Sequence, residues 1–201
     1  MALPDLSLYL VLDPVLCGGA DGMVSTAVAA AQGGAGIIQL RAPDWKKREL
    51  AACGRALIRA LAPYGVPLVV DDQVDVAMAI GAAGAHGQKD LPAEDARRLM
   101  GPEAIIGLSV SNAAELEASR SLAAAGVVDY LGIGPIESTS TKPDAAAPLG
   151  LPGFAALAAV KPCPVVAIGS VKIHNAAALA AAGADGIAVV SAICGTADPR
   201  A

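Results

Sequence analysis

The 201 residues carry 14 Lys plus Arg against 19 Asp plus Glu, a formal net charge of −5, which argues against an extended nucleic-acid surface with its clustered cations. Hydrophobic residues make up 55% and aromatics only 2%, so a core must be filled by Ala, Val, Leu and Ile, which suit helices packed closely on strands. Cys17, Cys53, Cys163 and Cys194 are far apart and have only His86 and His174 as co-ligands, which speaks against structural zinc and a disulfide framework.

Short apolar runs recur along the chain at Leu8–Leu12, Gly36–Leu40, Pro67–Val70, Gly84–His86, Ala104–Leu108, Tyr130–Ile133, Pro164–Ile168 and Gly186–Val190. They lack polar alternation, as expected of a parallel sheet buried on both faces. The segments between them carry helix signals. Asp44 precedes a stripe of Leu50, Cys53, Leu57 and Leu61, and Asn112 with Glu115 forms a capping-box pattern. Glycine-rich joints at 33–36, 81–84, 124–126 and 183–186 precede every second run, a weak repeat that suggests paired βα units with glycine ending each helix.

Eight such units with right-handed crossovers predict one (β/α)8 TIM barrel over residues 1–201. The competing open doubly wound sheet is disfavoured because no Gly-x-Gly-x-x-Gly follows the first run. Met1 to Leu6 has no basic region ahead of an apolar stretch, and no apolar run is long enough to span a bilayer without a charge or proline. A cytoplasmic protein without a membrane partner is expected, with self-association left open.

In a barrel the active face lies at the strand C-termini, and here those positions are polar. The sixth run empties into Gly132, Gly134, Ser138, Thr139, Ser140, Thr141 and Lys142, whose N–H groups, hydroxyls and ammonium suit an anion, although a plain solvated turn has the same composition. Gln39 and Arg41 share one strand face, offering an amide for a heterocycle edge and a fork for phosphate; the alternative for Arg41 is a surface pair with Asp44 or Glu49. Asp72 and Asp90 can share one Mg2+ with substrate phosphates, and the alternative for Asp71 and Asp72 is a helix N-cap. Gly169 with Ser170, and Val190 with Ser191, end the last two runs, where barrels hold phosphate on backbone N–H groups. His86 and His174 read as structural.

In order, Gln39-Leu40-Arg41, Val69-Val70-Asp71-Asp72, the stretch Gly84 to Asp90, Ile106-Gly107-Leu108-Ser109, Thr139 to Lys142, Ala167-Ile168-Gly169 and Gly186 to Ser191 resemble the thiamine-phosphate synthase family. The resemblance implies a Mg2+-dependent transferase that joins hydroxymethylpyrimidine diphosphate to a thiazole phosphate by a dissociative mechanism. It also implies that Asp72 and Asp90 hold the metal and that Gln39, Arg41, Asp71, Ser109 and Lys142 surround the pyrimidine diphosphate. Arg41, Ser109 and Lys142 would be the catalytic members. Thr139, Thr141, the Gly169–Ser170 turn and Val190–Ser191 would receive the thiazole phosphate, with Ser140 also among the substrate-binding residues. Its small-molecule partners would both be phosphorylated.

The chain departs from the family pattern at several points. Pro43 stands where a phosphate-binding lysine is usual, with Lys46 or Lys47 as substitutes; Asp71 replaces asparagine; Gln73 replaces arginine; the loop before Asp90 is one residue short; and Ser170 replaces glycine. Two alternatives follow from the same resemblance: a thiazole tautomerase-like relative, disfavoured by Ser111 where that enzyme has histidine, and a non-catalytic sensor of thiazole phosphate.

Overall fold

The computed structural model describes residues 3–87, 91–139, 141 and 146–200. Eight parallel strands close into a barrel in sequence order: β1 Leu8–Leu12, β2 Ile37–Leu40, β3 Leu68–Asp71, β4 Gly84–Gly87, β5 Ile105–Val110, β6 Tyr130–Ile133, β7 Val165–Ile168 and β8 Gly186–Val189. Closure is direct, because β1 pairs with both β2 and β8. The expected barrel is therefore present, and each strand lies within two residues of the run that announced it.

Among the described residues the α-helices are α1 Pro14–Cys17, α2 Ala20–Gln32, α3 Lys47–Leu61, α4 Val74–Ile80, α5 Ala93–Met100, α6 Ala113–Ala124, α7 Gly150–Ala158 and α8 Ile173–Ala181, with a 3-10 turn at Ala62–Tyr64 after α3. Their distribution is not one per strand. Both α1 and α2 follow β1, whereas β8 leads into turns over 191–195 rather than a helix.

Strand parity divides the apolar residues into two cores. Alternate side chains such as Leu10, Ile38, Val70, Leu131 and Val189 point outward against the helices in a large continuous cluster. The inward set is small: Leu6, Tyr9, Val11, Ile37, Val69, Ile105, Tyr130, Val166 and Ala188 fill the barrel. That division explains why the runs look uniformly apolar although each strand still alternates. Helix α3 buries Leu50, Cys53, Leu57 and Leu61 as its stripe predicts. Its cap position is Lys46 rather than Asp44, and the half-buried Trp45 precedes it with its N–H on the Ala42 carbonyl.

The repeated joints do two jobs. At Gly81 the chain leaves α4 in the left-handed region (φ 70°), and at Gly84 a β-carbon would stand 1.8 Å from the Ile105 carbonyl oxygen. The first glycine ends the helix and the second lets the strand seat against its neighbour. Two of these joints also place an acid before the strand. Asp129 accepts the Ile106 N–H and pairs with Arg97, and Asp185 accepts the Val165 N–H and pairs with Lys161. Of the Asn112 capping box, half forms: Asn112 accepts the Glu115 N–H, while the Glu115 carboxylate turns to the N–H and hydroxyl of Ser111.

Candidate active site

A cavity of about 400 Å³ opens at the C-terminal ends of the strands. The strand ends bring to its wall Gln39 and Arg41 from β2 and just beyond it, Asp71 from β3, and Ser109 from within β5. Thr139, Thr141, Gly169, Ser170, Val190 and Ser191 line the other side. Asp72 does not reach this cavity. Ser140, Lys142 and Asp90 lie outside the described residues.

The floor is polar, which the sequence did not announce. Gln39 Nε2 donates to the Tyr9 hydroxyl at 2.8 Å, and the Tyr9 and Tyr130 hydroxyls are 2.8 Å apart. Tyr130 meets His86 Nδ1 at 3.0 Å, and His86 Nε2 meets Ser109 Oγ at 3.0 Å. Tyr9 and Tyr130 are 1% and 0% exposed, so their hydroxyls require protein partners, and the chain supplies them. Burial, the largest influence, pushes both phenols well above their ordinary range. His86 holds a structural place in this chain of contacts, as expected of a histidine after a buried strand, and it also lines the cavity. The available signal was a tyrosine at an inward strand position together with glycines inside strands. A β-carbon at Gly107 would stand 2.3 Å from the Tyr130 ring and 2.4 Å from His86 Nδ1.

Arg41 pairs with Asp71 at 3.3 Å, not with Asp44 or Glu49, and its Nη1 donates to the Thr141 carbonyl at 3.2 Å. One guanidinium therefore links β2, β3 and the loop after β6. Within that loop the Thr139 and Thr141 hydroxyls bond each other at 2.9 Å. Neither lysine considered as a replacement at Pro43 lines the cavity. Lys46 is exposed at the start of α3, and Lys47 pairs with Asp75 of α4 at 2.6 Å on the outer surface. The cap position of α4 is Gln73 rather than Asp71 or Asp72.

At the opposite wall Gly169 (φ 99°) and Ser170 (φ 54°) turn the chain sharply, with the Ser170 hydroxyl donating to the Ser138 carbonyl at 2.6 Å. The serine thus occupies a conformation that favours glycine, held by that bond. Gly134 offers no free N–H to an anion, since it donates to Val110. Lys172, unremarked in the sequence, places its ammonium 2.9 Å from Ser191 Oγ and adds a cation beside this wall.

Asp72 has a left-handed backbone (φ 53°) and borders a small pocket shared with Gly87 and Leu91, the residues flanking 88–90. Among the described residues no three metal-ligating side chains cluster. Magnesium held largely by water and phosphate needs only one or two carboxylates, and Asp72, the described member of the expected pair with Asp90, is a hard oxygen donor of the right kind although it borders this smaller pocket and not the main cavity.

A closed (β/α)8 barrel with a guanidinium, hydroxyls and tight turns gathered round a cavity at its strand C-termini has the architecture of a barrel enzyme. The family described as "Thiamine monophosphate synthase" matches residues 8–193. A thiamine-phosphate synthase of Laribacter hongkongensis is 56% identical over 98% of this chain and 92% of its own length; one of Azorhizobium caulinodans is 50% identical over 96% and 90%. The thiamine phosphate pyrophosphorylase of Pyrococcus furiosus superposes with a TM-score of 0.85 at 34% identity, covering 98% of this chain and 91% of that one. The chain belongs to the thiamine monophosphate synthase family and is a transferase of thiamine biosynthesis.

Proposed function

We propose that the protein joins 4-amino-2-methyl-5-(diphosphooxymethyl)pyrimidine to 4-methyl-5-(2-phosphooxyethyl)thiazole, releasing diphosphate, in the cytoplasm. The observation that carries this reading is one cavity with an amide, an imidazole and a hydroxyl on its floor and a guanidinium, hydroxyls and a tight glycine turn on its walls, groups that suit a heterocycle and anions. Gln39 and Ser109 would orient the aminopyrimidine by its hydrogen-bonding edge. Arg41 would meet the diphosphate, with Lys142 as its counterpart from the loop after β6. Ser170, Ser191 and Lys172 would hold the thiazole phosphate, leaving its ring nitrogen directed at the pyrimidine methylene.

In the dissociative route the methylene–oxygen bond breaks first, its electron pair leaving with diphosphate, and the thiazole nitrogen then captures the cation. No protein nucleophile is required; the residues act by orientation and by neutralising charge on the leaving group. Magnesium, held by Asp72 with Asp90, would supply further neutralisation of that charge.

The test is thiamine phosphate formation by folded protein given both substrates, with and without Mg2+. Metal-dependent product is expected. Binding of the thiazole phosphate without turnover would favour the sensor reading, which Pro43 and the outward pairing of Lys47 support.

A further inference from the structure

We propose that the buried chain from Gln39 through Tyr9, Tyr130 and His86 to Ser109 is a hydrogen-bond relay of fixed polarity. In this relay Tyr9 and Tyr130 are positioning residues for the two groups at its ends. The inference rests on proton counting. Gln39 turns its amide nitrogen to Tyr9, and an amide nitrogen only donates, so the Tyr9 oxygen accepts there. The Tyr9 proton then goes to the Tyr130 oxygen, and the Tyr130 proton to His86 Nδ1. With Nδ1 accepting, the imidazole proton sits on Nε2 and is donated to Ser109 Oγ.

The ends of the relay are thereby given opposite character. Gln39 keeps its carbonyl oxygen as an acceptor, and Ser109, its oxygen already accepting, keeps its own proton as a donor towards the cavity. A heterocycle with both an amino group and a ring nitrogen is what such a pair distinguishes. Reversing one link reverses all of them, so the two contacts on β2 and β5 are not independent. Gly107 and Gly132 support the arrangement. A β-carbon at Gly107 would collide with both Tyr130 and His86, and one at Gly132 would stand 3.2 Å from the imidazole. The substrate side of this proposal rests on the reading that Gln39 and Ser109 face the pyrimidine; the relay itself does not.

The experiment exploits the presence of only two histidines, His86 and the exposed His174. Long-range nitrogen–proton correlation spectra at about pH 8, above the ordinary histidine range, report which imidazole nitrogen carries the proton. In the unmodified protein His86 is expected as the Nε2–H tautomer. In Tyr9→Phe, a site with no direct bond to His86, the single tautomer is expected to become a mixture, with His174 unchanged. An Nδ1–H tautomer in the unmodified protein, or an unaltered His86 in Tyr9→Phe, would overturn the relay. Gln39→Leu, which also has no direct bond to His86, provides the same tautomer reading should Tyr9→Phe not fold, and Tyr130→Phe, which removes a direct partner of the imidazole, is the positive control.

Steady-state kinetics of these variants test the positioning role. One neutral hydrogen bond corresponds to roughly a fivefold rise in KM for the pyrimidine diphosphate. The KM for the thiazole phosphate is expected to stay within about twofold. A tautomer that responds while neither KM moves would overturn the positioning role and the pyrimidine assignment, leaving the relay standing.

Discussion

Arg41 shows how much a single side chain carries here. It joins Asp71 at 3.3 Å to the Thr141 carbonyl at 3.2 Å across the cavity mouth. Under the proposed function, removing it would take away the cation assigned to the leaving group and leave the Asp71 carboxylate beside a polyanion. Arg41→Ala is therefore expected to lower kcat/KM for the pyrimidine diphosphate on the order of 100-fold. Adding Asp71→Asn is expected to recover about tenfold, because the repulsion goes with the charge. Strictly additive losses in the double variant would remove the proposed coupling. Pro43→Lys is the complementary change. It is expected to lower the KM for the same substrate, and an unchanged KM would mean that the diphosphate end is organised around another cation. The polar residues after each strand could be named from the sequence because strand ends are where a barrel works. Tyr9 and His86 were not legible in that way. Their roles depend on partners up to 121 positions distant, and nothing local distinguishes a hydrogen-bonded tyrosine from a packed one.

Among the elements, the strands were the most legible. Parallel strands are covered on both faces, so their uniform apolar runs carried the signal, and the errors fell at the ends. Helix starts were less legible. Lys46 rather than Asp44 precedes α3, and Glu115 bonds to Ser111 rather than completing the box with Asn112. In both cases the difference is local: α3 is capped two residues after the acid, and Glu115 bonds the residue before the cap rather than the cap itself. The joint glycines are a firmer guide. At Gly84 the obstacle is the Ile105 carbonyl, part of the neighbouring strand and unable to yield as a flexible side chain would. Gly84→Ala is expected to destabilise the fold by about 3 kcal/mol with little change in KM of the molecules that do fold. Chemical denaturation together with kinetics on the folded fraction would check this. A loss below about 0.5 kcal/mol would rule out the close approach.

For the whole molecule, the two phenols at the centre of the barrel set an alkaline limit. Their folded-state ionisation is pushed above the ordinary value of 10.0, chiefly by burial. Below pH 10 both folded and unfolded forms keep the protons, and the stability associated with these groups is fully present. As the pH rises beyond 10 the unfolded chain ionises first, so that stability is progressively lost towards the folded-state value. The slope is up to about 1.4 kcal/mol per pH unit for each phenol. Denaturation between about pH 9 and 11 is expected to show this loss, and Tyr9→Phe is expected to make it shallower. A pH-independent midpoint would mean that water reaches the barrel floor. The scarcity of aromatic side chains has a second result, of an optical kind. The chain contains a single tryptophan, Trp45, half-buried between the loop that carries Arg41 and the start of α3. Its emission is therefore not averaged over the molecule but comes from one ring four residues beyond Arg41. The protein thus carries one intrinsic fluorophore a turn of chain away from the arginine proposed to meet the diphosphate, and a change in its emission on adding that substrate would report binding without an attached dye.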